Sequence, residues 1–282
     1  MKRRDFIKIT AAAILSTGAA RDVFAGIEKA DSAQPEEHDR YVKDYLHKMH
    51  NFDQPYNDDI YLDKPKLHIL KSSVGRLKRL QKTVGHANFY LLNFDEALKI
   101  SSGYSRVGRF SKKEINFLEE IFYKNSSIYG FFGQKPFKNM TSRIKKQEVI
   151  KIPHTGNYLY KGEACSAYGK IKKEIGNTVI LTSGVRSIIK QFLLFLDKTY
   201  RNKGNLSLAS RSLAPPGYSF HGIGDFDVGQ VGFGYDNFTE RFTTTNVFKK
   251  LQKFGYINLR YKKNNLLGVR FEPWHIKITN RT

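Results

Sequence analysis

The chain predicts an α+β fold, a small antiparallel sheet with flanking helices preceded by a helical N-terminal region. Three observations predict it. Between Lys64 and Lys138 apolar residues recur at helical spacing, as in Val74, Leu77 and Leu80. Beyond Glu163 helical stretches alternate with short β-rich runs such as 178–182. Before Lys64 the chain is polar and without sustained periodicity.

Taken in order, residues 1–25 read as a signal peptide. Lys2, Arg3, Arg4 and Lys8 precede an apolar run from Ile9 to Ala20, and small residues surround the expected cut after Ala25. The paired arginines with Phe6 and Lys8 resemble a twin-arginine export signal, which implies the twin-arginine machinery as a partner and an exported, periplasmic or cell-envelope protein. Residues 26–63 read as a polar linker with one short helix around Arg40 to Met49, on which His47 and His50 are surface histidines.

Residues 64–140 form the expected helical subdomain. Phe94 to Ile100 and Ile115 to Tyr123 carry helical periodicity, with Ser111 as N-cap and Glu114 three residues on in capping-box position. The aromatic residues between Phe117 and Phe137 read as core. In the remaining domain, 141–282, the pattern predicts helices over 163–175, 186–200 and 243–254 and strands over 178–182, 206–209 and 225–228. Two further strands, 256–261 and 267–271, are expected to pair across Lys262 to Asn265.

The formal charge is +22, with 48 Lys and Arg against 26 Asp and Glu. Such a balance favours anionic surfaces. In an exported protein these are wall polymer or membrane, rather than a specific nucleic acid. The basic residues are dispersed, and Arg76, Lys78, Arg79 and Lys82 read mostly as a solvated helix face. Cys165 is the single cysteine, so no intramolecular disulfide staples the fold; it reads as a buried structural thiol.

Chemistry concentrates in the last quarter. Ser219-Phe-His-Gly-Ile-Gly-Asp-Phe-Asp227 is followed by Glu272-Pro-Trp-His275. Two imidazoles, a carboxylate and a separate glutamate are what a hydrolytic zinc site needs: three ligands, a position for water, and a base for its proton. Pro273 excludes the helical H-E-x-x-H arrangement, so Glu272 and His275 must converge from a strand end and turn.

These segments resemble the S-x-H-x-x-G-x-A-x-D and E-x-W-H signatures of the VanY-type D-alanyl-D-alanine carboxypeptidases, zinc peptidases of the LAS group. Ser183-Gly-Val-Arg-Ser187 with Gln191 resembles the S-G-Y-R-S-x-x-x-Q element of that family, with Val185 where tyrosine is usual. The resemblance spans roughly residues 160–280. It implies an LAS-type peptidase fold, with His221, Asp227 and His275 holding Zn2+, Glu272 as general base, and Arg186, Ser219 and Gln191 in the substrate pocket. Arg186 would also meet the oxyanion. The family aspartate stands seven positions after the first histidine, whereas Asp225 and Asp227 stand four and six after His221, so Asp225 stays open as the alternative ligand.

The implied activity is hydrolysis of peptidoglycan stem peptides, with removal of a terminal D-alanine as the expected reaction. A cross-link endopeptidase or an L,D-carboxypeptidase would use the same site. A non-catalytic wall-binding protein would account for the charge and the aromatics, but has no need of Glu272.

Overall fold

The computed structural model describes residues 35–278. The expected signal peptide, with its twin-arginine motif, lies outside these residues.

Helix α1 (Pro35–His50) is longer than the short linker helix that the sequence predicts. Its Tyr45 hydroxyl donates to the Asn265 carbonyl and accepts from the Gly268 amide, so this segment reaches across to the far end of the chain. Helix α2 (Lys64–Val84) has Pro65 in its first turn, tolerated there because first-turn amides lack helical partners. After a single turn at His86–Phe89 come α3 (Phe94–Gly103) and α4 (Lys112–Tyr123). Each of the two starts with a complete capping box, Asn93 with Glu96 and the expected Ser111 with Glu114.

A two-stranded antiparallel pair follows, β1 (Val149–Lys151) and β2 (Tyr158–Tyr160). Then come α5 (Glu163–Ile175), β3 (Val179–Ser183), α6 (Ile188–Arg201), α7 (Leu206–Ser212), β4 (Phe226–Gln230), α8 (Asn246–Lys253) and β5 (His275–Ile276). The three-stranded antiparallel sheet has the order β3-β4-β5. The α+β class with a small antiparallel sheet and a helical N-terminal region is therefore the observed architecture.

Two apolar cores hold it together. One packs Leu70, Leu77 and Leu80 of α2 and Leu118 and Phe122 of α4 against Phe192, Phe195 and Leu196 of α6. The other sandwiches Val179, Leu181, Phe226 and Val228 of the sheet with Ile171 and Ile175 of α5 and Val247 and Leu251 of α8. Helix α6 thus buries its body against the N-terminal helices, and Arg186, just before its N-cap Ser187, reaches Asp227 of the sheet. Most of the aromatic cluster is core, as expected, although Tyr123 is exposed.

Four local expectations need correction. Residues 206–209 begin a helix, not a strand: Asn205 caps it by accepting from the Leu208 amide, and every residue of α7 is buried, which erases the periodicity that separates the two forms. Residues 256–261 and 267–271 do not form a hairpin, because their backbone groups pair elsewhere: Leu259 bridges Ile276, the Arg270 amide donates to the Arg211 carbonyl, and the Phe132 amide donates to that of Leu267. Arg76 and Arg79 are not simply solvated. Arg76 binds the buried Glu114 carboxylate at 3.1 Å, and both arginines donate to the Val107 carbonyl. Cys165 is half-buried rather than buried. Among the described residues no helix is long and apolar enough to cross a membrane.

Candidate metal centre

His221 sits in a short 3-10 turn, Phe220–Gly222, between α7 and β4. The turn is pinned from two sides. The Tyr160 hydroxyl of β2 donates to the Gly222 carbonyl at 2.6 Å, and the Arg186 amide donates to the His221 carbonyl at 3.3 Å. A side chain at Gly222 would strike the Phe137 ring, and Gly224 has φ +140°, a conformation open to glycine. These two glycines let the chain leave His221 and enter β4 within four residues.

Asp227 lies in β4, opposite Ser183 on one side and His275 on the other. The β3–β4 register shifts between Leu181 and Ser183, a bulge of the kind that re-aims side chains at strand ends. His275 starts β5, directly after a turn in which its amide donates to the Glu272 carbonyl. Glu272 and His275 therefore do converge through a strand end and turn.

The three side chains meet. One ligand atom from each of His221, Asp227 and His275 falls within 4.8 Å of the others, and all three residues are buried. His221 Nδ1 donates to the Gly184 carbonyl at 2.8 Å, which leaves Nε2 as the unprotonated nitrogen, 3.2 Å from Asp227 Oδ1. His275 Nδ1 is 3.1 Å from the same oxygen. Despite these short approaches, no contact of buried His221 Nε2 or Asp227 Oδ1 has the geometry of a hydrogen bond. Donors about 2.0–2.1 Å from a tetrahedral Zn2+ stand roughly 3.3 Å apart. The residues fit that ion: the two spacings to Asp227 Oδ1, 3.2 Å and 3.1 Å, agree, all three atoms lie within 4.8 Å, and an ion would satisfy two buried atoms whose isolation is otherwise costly.

Asp225 is placed differently. Both its oxygens accept from Arg260, at 2.5 Å and 3.2 Å, and Oδ2 also lies 2.9 Å from His275 Nε2. The two aspartates therefore hold opposite nitrogens of one imidazole.

Electrostatics follow from burial and these contacts. Burial, with the Arg186 charge, lowers His221 to about 4, so its ring is neutral at neutral pH. Burial alone would lower His275, but Asp225 and Asp227 on its two nitrogens raise it to about 10. A divalent cation beside Nδ1 would take the place of that proton. Burial would raise Asp227, but its contacts with the His221 and His275 rings and the Arg186 charge hold it well below the usual carboxylate range. Glu272 moves the other way: burial raises it, against His275 and Arg270, while one of its oxygens lies 3.7 Å from His275 Nδ1.

Arg186, Gln191, Ser219, Tyr261 and Glu272 line a cleft whose wall also includes His221 and His275. Arg186 is partly committed: Nη2 donates to Asp227 Oδ2 at 2.7 Å and Nε to Ser183 Oγ at 2.9 Å. Gln191 is tied to backbone on both sides, donating to the Arg186 carbonyl and accepting from the Gly217 amide. Trp274 is buried in the core beside the sheet, packed edge-on to Phe238 and under the Arg270 guanidinium. Sequence reasoning missed Arg260 and Tyr261. Nothing local marks Arg260 among 48 basic residues, and Tyr261 lay in an expected hairpin.

A buried two-histidine, one-aspartate cluster beneath a cleft with a raised glutamate has the form of a hydrolytic metal site. Residues 163–280, which carry all three motifs, match the family model VanY, D-alanyl-D-alanine carboxypeptidase, in agreement with the resemblance read from those motifs. No curated protein matches the chain. Among solved structures the chain is similar to the LdcB LD-carboxypeptidase, at 22% identity and TM-score 0.39, over 48% of this chain and 69% of that one. It is also similar to a mutant of the vancomycin-resistance D,D-pentapeptidase VanY with Zn(II), at 24% identity and TM-score 0.36, over 45% of this chain and 76% of that one. A third, VanYB in complex with D-alanine-D-alanine, is 24% identical with TM-score 0.37, over 47% of this chain and 78% of that one.

Proposed function

We propose that the protein is a zinc-dependent D-alanyl-D-alanine carboxypeptidase acting on peptidoglycan stem peptides. The observation that carries this reading is the convergence of His221, Asp227 and His275 within 4.8 Å of one another, with two of their buried atoms unpartnered, beside Glu272. The VanY match supplies the substrate class.

His221, Asp227 and His275 would hold the ion. Bound there, Zn2+ would lower the pKa of a water to about 7 and polarise the scissile carbonyl. Glu272 takes the proton of the attacking water at its carboxylate and delivers it to the leaving amine. Its burial suits that work, because a carboxyl raised above its ordinary value is a better proton acceptor near neutrality. Arg186 holds Asp227 through Nη2 and keeps a positive charge at the cleft wall, where it favours the substrate carboxylate and the charge that develops on the attacked carbonyl oxygen. Ser219 offers a hydroxyl at the same wall, and Gln191 keeps that wall in place.

The test is metal analysis of the purified chain followed by incubation with muropeptides ending in D-Ala-D-Ala and mass spectrometry. One zinc per chain and loss of one alanine is the expected result. Cleavage of cross-linked dimers with pentapeptide monomers left intact would show an endopeptidase, attack only on tetrapeptides an L,D-carboxypeptidase, and wall binding without hydrolysis a non-catalytic protein.

The same reading places the protein outside the cytoplasm, carried there by the twin-arginine machinery and held near anionic wall or membrane surface by its charge. Replacing Arg3 and Arg4 together by lysine is expected to leave the chain in the cytoplasm in a cell-fractionation assay.

A further inference from the structure

We propose that Asp225 and Arg260 are a positioning pair for His275: they fix the ring with its proton on Nε2 and so present Nδ1 to the metal position, while Asp227 alone of the two aspartates is a ligand. This rests on the zinc reading above and assigns work to residues that the motifs leave open or omit.

The geometry has three parts. Asp225 Oδ2 lies 2.9 Å from His275 Nε2. A carboxylate with no proton can only accept, so this nitrogen carries the hydrogen, and in the neutral ring the lone pair then sits on Nδ1, the atom that faces Asp227 Oδ1 at 3.1 Å. Second, Asp225 is itself held. Its Oδ1 accepts from the Ile278 amide at 2.9 Å and from Arg260 Nη2 at 3.2 Å, and its Oδ2 accepts from Arg260 Nε at 2.5 Å. Third, the Arg260 guanidinium lies 3.3 Å from the centroid of the Phe220 ring, the residue before His221. One arginine thus braces the carboxylate behind His275 and the turn that carries the other imidazole.

Two alternatives are weaker. As a ligand, Asp225 would have to abandon three hydrogen bonds, and its oxygens point at the wrong nitrogen of His275. As a purely stabilising ion pair it would be a poor choice, since the desolvation of two buried charges offsets much of their attraction. Orientation of a metal-binding imidazole by a carboxylate on its far nitrogen uses the pair fully, and removal of such a partner typically weakens metal affinity about 10- to 100-fold.

The experiment measures Zn2+ affinity of the full chain by chelator competition for wild type, Asp225→Ala, Asp225→Asn, Arg260→Gln and Asp227→Ala, with thermal melting as a control for folding. Long-range 1H–15N NMR of the histidine rings in the zinc-loaded chain reads the tautomer of His275 independently of activity. Asp225→Ala is expected to weaken zinc about 10- to 100-fold and to lose the fixed Nε2–H tautomer. Asp225→Asn, whose amide oxygen still accepts from Nε2–H, is expected to recover most of the affinity, which a ligand role would not allow. Arg260→Gln shifts affinity the same way by a smaller factor, and Asp227→Ala loses tight binding altogether. Unchanged affinity and tautomer in Asp225→Ala would overturn the positioning role. So would loss of zinc in Asp225→Asn as complete as in Asp227→Ala. Should Asp225→Ala fail to fold, Asp225→Asn and Arg260→Gln decide alone. A wild-type chain that binds no zinc would instead sink the reading on which this one rests.

Discussion

Two buried charge clusters, one around Asp59 and Arg211 and one around His221 and Asp227, are built to opposite ends. In the first, Asp59 accepts from Arg211 Nη1 at 2.6 Å and Nη2 at 2.9 Å, from Asn205 at 2.7 Å and from the Tyr56 amide at 3.0 Å. Arg211 spends its remaining donors on the carbonyls of Phe52 and Gln54. Every polar atom is answered by protein. In the second, His221 Nε2 and Asp227 Oδ1 are as deeply buried and stay unanswered. A closed cluster is scaffold, whereas an open one of the same burial is a place for something that is not protein. The closed cluster also serves the open one, because the Arg211 carbonyl receives the Arg270 amide two residues before Glu272.

That contrast can be broken most severely by removing the ion. Dialysis against a chelator is expected to abolish hydrolysis completely, with activity restored by Zn2+, while the urea transition shifts only by the lost binding free energy and stays cooperative. Collapse of the fold on chelation would mean that the metal, not the two apolar cores, holds the C-terminal half together. Next in size is Glu272→Gln. Turnover should fall by about 10²–10⁴ with the zinc content unchanged, measured by muropeptide assay alongside metal analysis. The closed cluster should respond in the reverse sense. Asp59→Ala strands Arg211 without its partner, at a cost of about 3–5 kcal/mol in urea denaturation, but should leave zinc per folded molecule as it was.

How far the sequence carries varies with how local the determinant is. His221, Glu272 and His275 are legible because the spacing within each short motif already forces proximity, and the Ser111 cap is legible for the same reason. The choice between Asp225 and Asp227 is not. Both reach the same ring, and what separates them is Arg260, brought in from 35 residues away in sequence. The helix at 206–212 is illegible because complete burial removes the alternation of apolar and polar residues on which a sequence reading depends. The run from 256 to 271 has strand-like residues, yet its partners are Ile276, Arg211 and Phe132, none of which a hairpin pattern could name.

The smallest effect separates two ways in which the helical half closes its own charges. Ser111→Ala removes the hydroxyl that accepts from the Glu114 amide, at a cost of about 1 kcal/mol, but leaves the 111 backbone amide donating to the Glu114 carboxylate. Burial would raise Glu114, yet that amide and Arg76 outweigh it and hold the carboxyl below its ordinary 4.5. A depressed folded value means that its stabilisation is complete above the unfolded value and is lost as pH falls through the folded one. Wild type and Ser111→Ala should therefore lose stability in parallel as urea midpoints are followed from about pH 5 down to about pH 3, with the variant lower throughout. If the two curves met on acidification, the hydroxyl rather than the amide and Arg76 would be what keeps Glu114 ionised, and the Glu114 cluster would be closed by its cap instead of by its ion pair.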